Sequence, residues 1–454
     1  MPERGLEQQD ESLSSGGHMR ARAEAIRDEM VRLRRDIHQY PELGFQEVRT
    51  AALVAETLAE IGGMEIRTGV GRTGVVADLG SGGPTIAIRA DMDALPIVEK
   101  NDVAYRSQND GVMHACGHDA HVAILLGTAH LLRQSLQEDG WQGRVRFLFQ
   151  PSEEAFDDDG ISGATAMIAD GALEGVDAVI ALHVLSNRPS GYCEFHDGYS
   201  MAAVDTFTAY IRGDGAHGAY PHRGSDPLFM LGPILNAVYA IPSRRIDPLR
   251  PSVVSLGQIC GGAAENVIPN EVMVRGTIRS MRADVRETLW REVERAFALS
   301  EALGGSYDFQ LIKGYPPLYN DPTVNGWLRQ VAREVGGQDT VRVEEFGMGA
   351  EDFAYMTQEA PGAMFMLGAA IDDGIVRNHH TDIFDIDESV LPIGADGRRK
   401  AAEASLRAAC KAAGIDYPRP DTSSLNYAPG DVRPNTAIVD APDRRVCVFT
   451  HAAT

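Results

Sequence analysis

Three short apolar runs each lead straight into polar residues capable of chemistry, and this pairing constrains the fold more than any other feature of the chain. Thr85-Ile-Ala-Ile-Arg89 leads to Asp91 and Asp93, Val145-Arg-Phe-Leu-Phe149 to Gln150-Pro-Ser-Glu153-Glu154, and Ala178-Val-Ile-Ala-Leu182 to His183. Runs this short, with Gly74-Val-Val-Ala-Asp78 beside them, are of the kind buried on both faces of a parallel sheet. Helical segments over 121–137 and 164–170 lie between them, and strands alternating with helices predict an α/β fold with a mostly parallel sheet. Further helices are expected over 19–39, where Ile26, Met30, Leu33 and Ile37 recur at helical spacing, and over 48–61, 324–335 and 398–413. One more buried strand is expected over 363–367.

The middle of the chain changes character. Its pattern reads strand 207–212, helix 226–240, strand 252–259, strand 271–279, helix 284–302 and strand 306–312. In the second helix Val285, Leu289, Val293 and Phe297 recur every four residues. The order β-α-β-β-α-β is that of a ferredoxin-like domain. The expected organisation is a discontinuous α/β domain over 19–203 and 316–415, interrupted by an inserted α+β ferredoxin-like domain over 204–315. Residues 1–18 are expected to be disordered and 416–454, rich in Pro and Asp, to form an extended tail.

Composition narrows the class of partner. A net charge of −23 disfavours nucleic acid and anionic membrane surfaces, both of which need clustered Lys and Arg. No apolar run approaches the roughly 20 residues of a membrane span. Residues 1–17 lack the apolar stretch of a secretory signal. The odd, sparse set of cysteines (Cys116, Cys193, Cys260, Cys410 and Cys447) makes no disulfide framework and predicts a reducing cytoplasm.

In open parallel sheets, ligands collect outside the carboxyl ends of the strands. Two more clusters join the three strand ends: His114-Ala-Cys116-Gly-His118-Asp119-Ala-His121 and His379-His380. Imidazole, carboxylate and a thiolate suit a borderline divalent ion such as Zn²⁺ or Mn²⁺. Cys116 and His118 cannot share a helical face, but a tight turn permitted by Gly117 lets both point inward. Glu153 and Glu154 are adjacent, so in extended backbone they face opposite ways. One can bind metal while the other acts as general base on metal-activated water. Singly, each cluster has a plainer reading: Cys116 as a buried thiol, the Glu pair as a solvated helix start, the His pair as chance. Their coincidence at strand ends points to a metal site.

Taken together, the motifs resemble the M20 metallopeptidase family, in its branch of hippurate hydrolases, N-acyl-amino-acid amidohydrolases and auxin-conjugate hydrolases. The matching stretches run in order from Arg35-Asp-Ile-His-Gln-Tyr-Pro-Glu-Leu-Gly44 through Arg89-Ala-Asp-Met-Asp-Ala-Leu-Pro96, Met113–His121, Gln150–Glu154, Ala181-Leu-His183, Glu265-Asn-Val-Ile-Pro269 and Gly276-Thr-Ile-Arg279 to Glu351-Asp-Phe353. The resemblance implies a two-metal site with Cys116, His118, Glu154, His183 and His380 as ligands, Glu153 as general base and Asp93 orienting the ligands. His380 is preferred to His379 because it stands four residues before the aromatic Phe384. The resemblance also implies that the inserted domain is a lid and dimerisation surface. Its His217 would reach the substrate oxyanion, often across a homodimer, Arg279 and Asn266 would hold a substrate carboxylate, and His222 would be a further substrate-binding residue. The chain departs from the pattern at Ala155-Phe-Asp-Asp-Asp159, an acidic insertion expected to border the pocket. The implied activity is hydrolysis of a C–N bond in a small molecule, above all the amide of an N-acyl amino acid or aryl-amide conjugate. The alternatives are hydrolytic deamination of an amino-aromatic acid and a dipeptidase or carboxypeptidase activity.

Overall fold

A computed structural model describes residues 21–139 and 143–412. The disorder expected over 1–18 and the tail expected over 416–454 lie outside the described residues. The strands are β1 (Met64–Val70), β2 (Gly74–Ser81), β3 (Thr85–Asp91), β4 (Gly143–Gln150), β5 (Ala178–Pro189), β6 (Cys193–Phe195), β7 (Gly198–Met201) and β8 (Ala203–Arg212). They continue as β9 (Ala216–His217), β10 (Ser252–Gly261), β11 (Val267–Ile268), β12 (Glu271–Ser280), β13 (Ser306–Lys313), β14 (Leu318–Asn320), β15 (Val341–Val343) and β16 (Gly362–Ala370). The main sheet has eight strands in the order β1-β2-β4-β3-β5-β16-β6-β15. Its centre, β4-β3-β5-β16, is parallel throughout.

Alternation along these central strands sorts their side chains between two cores. Ile86, Ile88, Ala90 and Met92, with Val145, Phe147 and Phe149, and Ile180, Leu182 and Val184, point into one apolar cluster. The helices Arg27–Gln39, His118–Asp139 and Leu391–Ala412 cover that cluster through Met30, Leu33, Ile124, Leu131 and Leu406. Ala87, Leu148, Val179 and Ala181 point into the second cluster, on the other face. Continuing that face toward the carboxyl ends, the next residues along the three strands are Arg89, Gln150 and His183. The sheet's second face therefore turns from apolar to polar within one strand step.

Three expectations need correction. The run Gly74–Asp78 was grouped with the parallel strands, but β2 forms a hairpin with β1 and runs antiparallel to β4. Only Gly71-Arg-Thr73 separates β1 from β2, too short for the crossover that parallel pairing demands. The helix expected over 284–302 breaks into Ala283–Phe297 and Leu299–Ala302. The last helix starts at Leu391, seven residues before the expected 398. A Cβ on Gly394 would meet Ile124 Cδ1 at 3.0 Å, so this glycine serves close helix packing.

Residues 203–313 build a four-stranded antiparallel sheet, β10-β12-β8-β13. The helices Pro227–Arg244 and Ala283–Phe297 close a separate core with Phe207, Ile211, Met230, Val274, Leu289 and Phe297. This is the strand order of the ferredoxin-like β-α-β-β-α-β arrangement.

A buried charge network ties the helical layer together. Arg34, fully buried, donates Nε to Asp119 at 2.8 Å and Nη2 to Asp385 at 2.8 Å, and His38 Nδ1 lies 2.8 Å from the same Asp119 oxygen. Removing one partner of such a network leaves the rest charged and desolvated. Arg34→Met is expected to lower stability by about 3–5 kcal/mol, read as a shift of the urea unfolding midpoint at unchanged slope.

Candidate metal centre

The site grows from the polar end of the sheet's second face. β3 ends at Asp91, and Asp93, two residues on, projects to the same side. The Cys116 turn then delivers the helix His118–Asp139. Gly117 makes the turn possible: it takes φ +91°, and a Cβ there would lie 2.4 Å from Val184 Cγ2. β4 runs out into Pro151–Glu154, a turn held from several sides. Ser152 N–H donates to Glu47 at 2.8 Å, Glu154 N–H to Asp93 Oδ2 at 2.9 Å, and Tyr315 O–H to the Glu153 carbonyl. Ser152 (φ +42°) and His380 (φ +59°) are non-glycine residues with positive φ beside the site, which is the backbone strain that functional sites hold.

Four of the expected ligands meet closely. The ligand atoms of Cys116, His118 and Glu154 lie within 4.8 Å of one another, and so do those of Cys116, His183 and His379. Cys116 Sγ is 3.4 Å from His183 Nε2 and 3.5 Å from His379 Nδ1. The fifth, His380, approaches from the other side, with Nε2 3.0 Å from Glu154 Oε1. Both adjacent histidines thus face the centre. His379 lies on the thiol and His380, half exposed, on the carboxylate. His183 does not stand past a strand end as expected, since β5 continues to Pro189 and pairs His183 with Met366 of β16.

The donors are oriented for a cation. His118 Nδ1 donates to the Asp93 carbonyl at 2.9 Å, with Asp93 Oδ1 at 3.2 Å, which leaves Nε2 bare. That Nε2 is buried and makes no hydrogen bond. Burial opposes a charge on His118, yet Asp91 and Asp93 push its pKa up to about 10, so positive charge is favoured at this position. His183 Nδ1 donates to the Val184 carbonyl at 2.7 Å, again freeing Nε2. Thiolate, imidazole and carboxylate donors around an orphaned buried nitrogen fit a divalent ion.

Glu153 lies with Glu351 and Asp352 in a separate acidic group whose oxygens are within 4.8 Å of one another. Burial, then Glu351, Glu154 and Asp352, push its pKa well above the ordinary carboxylate range. Arg89 stands under this group, donating to Gln150 at 2.8 Å, Asp91 at 2.6 Å and Glu351 at 2.8 Å. Sequence reasoning gave no role to Arg89, Glu351, Asp352, Tyr315 or Glu47. Arg89 and Glu351-Asp352 stood inside quoted motifs, and a cation placed directly on an apolar strand was the available signal.

The residues on the smaller sheet lie elsewhere. His217 pairs with Val267 in the β9–β11 ladder, and Asn266 just precedes β11, its carbonyl accepting from Gly218 N–H at 2.7 Å. His222 is exposed in the short turn Pro221–Arg223. Arg279 is half-buried on β12, opposite Val204 and Val253. Among the described residues, no hydrogen bond or ion pair links these four to the Cys116 cluster within one subunit. In the acidic insertion, Asp157 accepts the N–H groups of Asp159 and Ile161 and pairs with Arg72. Phe156 packs on Tyr315 with ring centroids 4.6 Å apart.

Comparison with known proteins bears on this geometry. The sequence model described as peptidase family M20/M25/M40 matches residues 87–404. Thermostable carboxypeptidase 1 of Saccharolobus solfataricus is 40% identical over 82% of this chain and 93% of its own length. N-acetyl-L-cysteine deacetylase of Bacillus subtilis is 40% identical over 81% of this chain and 85% of its own. A Bacillus subtilis crystal structure described as a dinuclear metal-binding peptidase superposes with a TM-score of 0.73 at 32% identity, covering 85% of this chain and 99% of that one.

Asp93 holds both His118 and the Glu154 main chain, so Asp93→Ala is expected to weaken divalent-metal binding by about 10–100-fold in equilibrium dialysis.

Proposed function

The chain belongs to peptidase family M20, a hydrolase acting on C–N bonds, and we propose that it cleaves the amide of an N-acyl amino acid at a two-metal centre, with Glu153 as the base. Cys116, His118, Glu154, His183 and His380 are the ligands of this reading, for Mn²⁺ or Zn²⁺. Divalent ions held there would supply a Lewis acid for the amide carbonyl and would lower the pKa of water toward about 7. Glu153 takes the proton of the attacking water and passes it to the leaving nitrogen. One observation carries this assignment: Glu153 is buried beside Glu154 and gathered with Glu351 and Asp352, outside the groups formed by the expected ligands. A binding protein has no use for such a group next to a ligand.

The substrate's amino-acid half presents a carboxylate, for which Arg279, Asn266 and His222 are the candidate contacts, and His217 reaches the oxyanion from a second copy of the chain. The dimer this requires forms through the smaller sheet. Its helix Pro227–Arg244 exposes Phe229 (65% accessible), Leu228 and Tyr239, and β10 leaves one edge unpaired. Residues 204–315 act as the lid and 19–203 with 316–415 as the catalytic domain. A free Cys116 thiol suits a reducing cytoplasm. Phe156 on Tyr315, which touches the Glu153 main chain, favours an aromatic acyl group. The carboxypeptidase reading, supported by the name of the Saccharolobus relative, differs only in an acyl half that carries a free amine.

Glu153→Gln is expected to retain both metals and lose about 10²–10⁴-fold in kcat on N-benzoyl amino acids. Near-wild-type turnover would remove Glu153 as the base, and ammonia release without carboxylic acid would move the reaction to aromatic deamination. Sedimentation velocity is expected to show a dimer, and Phe229→Glu a monomer with normal metal content and little activity. A fully active monomer would exclude His217 acting across the interface.

A further inference from the structure

By donor type alone, Asp91, His118 and His121 form another candidate metal triad, with ligand atoms within 4.8 Å of one another. The spacing of His118 and His121 on one helix strengthens that impression, since residues three apart share a face and their rings stack at 5.5 Å. Hydrogen bonds decide against it. Val184 N–H donates to His121 Nε2 at 2.9 Å. A ring nitrogen that accepts this bond has its lone pair engaged, so the proton of the neutral ring sits on Nδ1. Nδ1 lies 2.5 Å from Asp91 Oδ1, and the other Asp91 oxygen accepts from Arg89 at 2.6 Å. Neither nitrogen of His121 is left for an ion.

We infer that His121 is a positioning residue that sets His183 at the metal centre through the Val184 main chain. His121 fixes the Val184 N–H. The Val184 carbonyl accepts from His183 Nδ1 at 2.7 Å, which turns His183 Nε2 toward Cys116 Sγ, 3.4 Å away. The His121 ring also packs edge-on against His183, with centroids 4.7 Å apart. The run Arg89–Asp91–His121–Val184 thus orients one ligand, as Asp93 orients another. The inference rests on the reading of Cys116 and His183 as ligands.

The test is a Co²⁺ titration of metal-free wild type, His121→Phe and His121→Gln, following the thiolate-to-cobalt absorption band and bound metal by dialysis. Phe fills the space without either hydrogen bond. Gln can accept from Val184 N–H and donate to Asp91. The expected result is binding at the thiolate weakened about 10–100-fold in His121→Phe and largely restored in His121→Gln. Equal loss in both variants overturns the inference, because that is the behaviour of a direct ligand. Wild-type affinity in His121→Phe overturns it as well. If His121→Phe does not fold, His121→Gln decides: retained affinity supports the positioning role and lost affinity overturns it. A wild type with no thiolate band at any Co²⁺ concentration overturns the metal-centre reading itself, and is seen before any substitution is made.

Discussion

A single guanidinium holds the floor of the site. Arg89 is fully buried, and Asp91, Glu351, Asp352 and the Gln150 amide converge on it from three separate segments of chain. With Glu153 and Glu154 beside them, the carboxylates outnumber it. In a low-dielectric interior this imbalance is costly, and the group can relax only by holding protons or taking up cations. The first response is visible in three groups. Burial, followed by Glu351, raises Asp352 to about 7 against the pull of Arg89, Glu153 stands higher than an ordinary carboxylate, and His118 is drawn toward its charged form. The same surplus of negative charge is what makes this end of the sheet a favourable place for a divalent cation.

Strand alternation explains how the surplus is built without losing the core. Residues 86, 88, 90 and 92 pack into apolar surroundings, while 87, 89, 91 and 93 run from alanine to arginine to two aspartates on the opposite face. Asp91 and Asp93 therefore reach the same side, where each serves a different histidine: Asp93 meets His118 and Asp91 meets His121. The apolar half of the strand keeps this register fixed, since a one-residue slip would bury the aspartates in the core.

Much of this was legible in the sequence because it is local. Apolar runs ending in Asp, Glu or His marked the strands and the side of the sheet that carries the polar cluster, and Gly117 marked the turn between Cys116 and His118. What was not legible depends on distant segments. Nothing near Arg89 announces that Glu351 and Asp352 will be its partners, since sequence spacing says nothing about which loops meet. The hairpin at β2 was missed because a buried antiparallel strand and a buried parallel strand carry the same apolar pattern, and only the length of the connection separates them. The early start of the last helix depends on Gly394 packing against Ile124, a contact between segments far apart in sequence. His217, Asn266 and Arg279 are a different case: among the described residues no hydrogen bond or ion pair joins them to the Cys116 cluster, and the motifs that single them out carry no information about that distance.

The adjacent pair His379-His380 shows how the chain resolves a choice that spacing leaves open. Neighbouring side chains in extended backbone point apart, and here the left-handed φ of His380 sharpens that divergence. His379 goes inward, packed on Phe384 with centroids 5.0 Å apart and on His183 at 5.2 Å, and meets the Cys116 thiol. His380 goes outward over the Glu154 carboxylate, while its N–H is tied to the Ala115 carbonyl at 2.8 Å. That bond couples the loop to the Cys116 turn, and Phe384, fully buried under both, sets the depth at which the pair can sit. The two rings therefore reach different donors, His379 the thiol and His380 the carboxylate, and the anchored turn at Phe384 holds both in place.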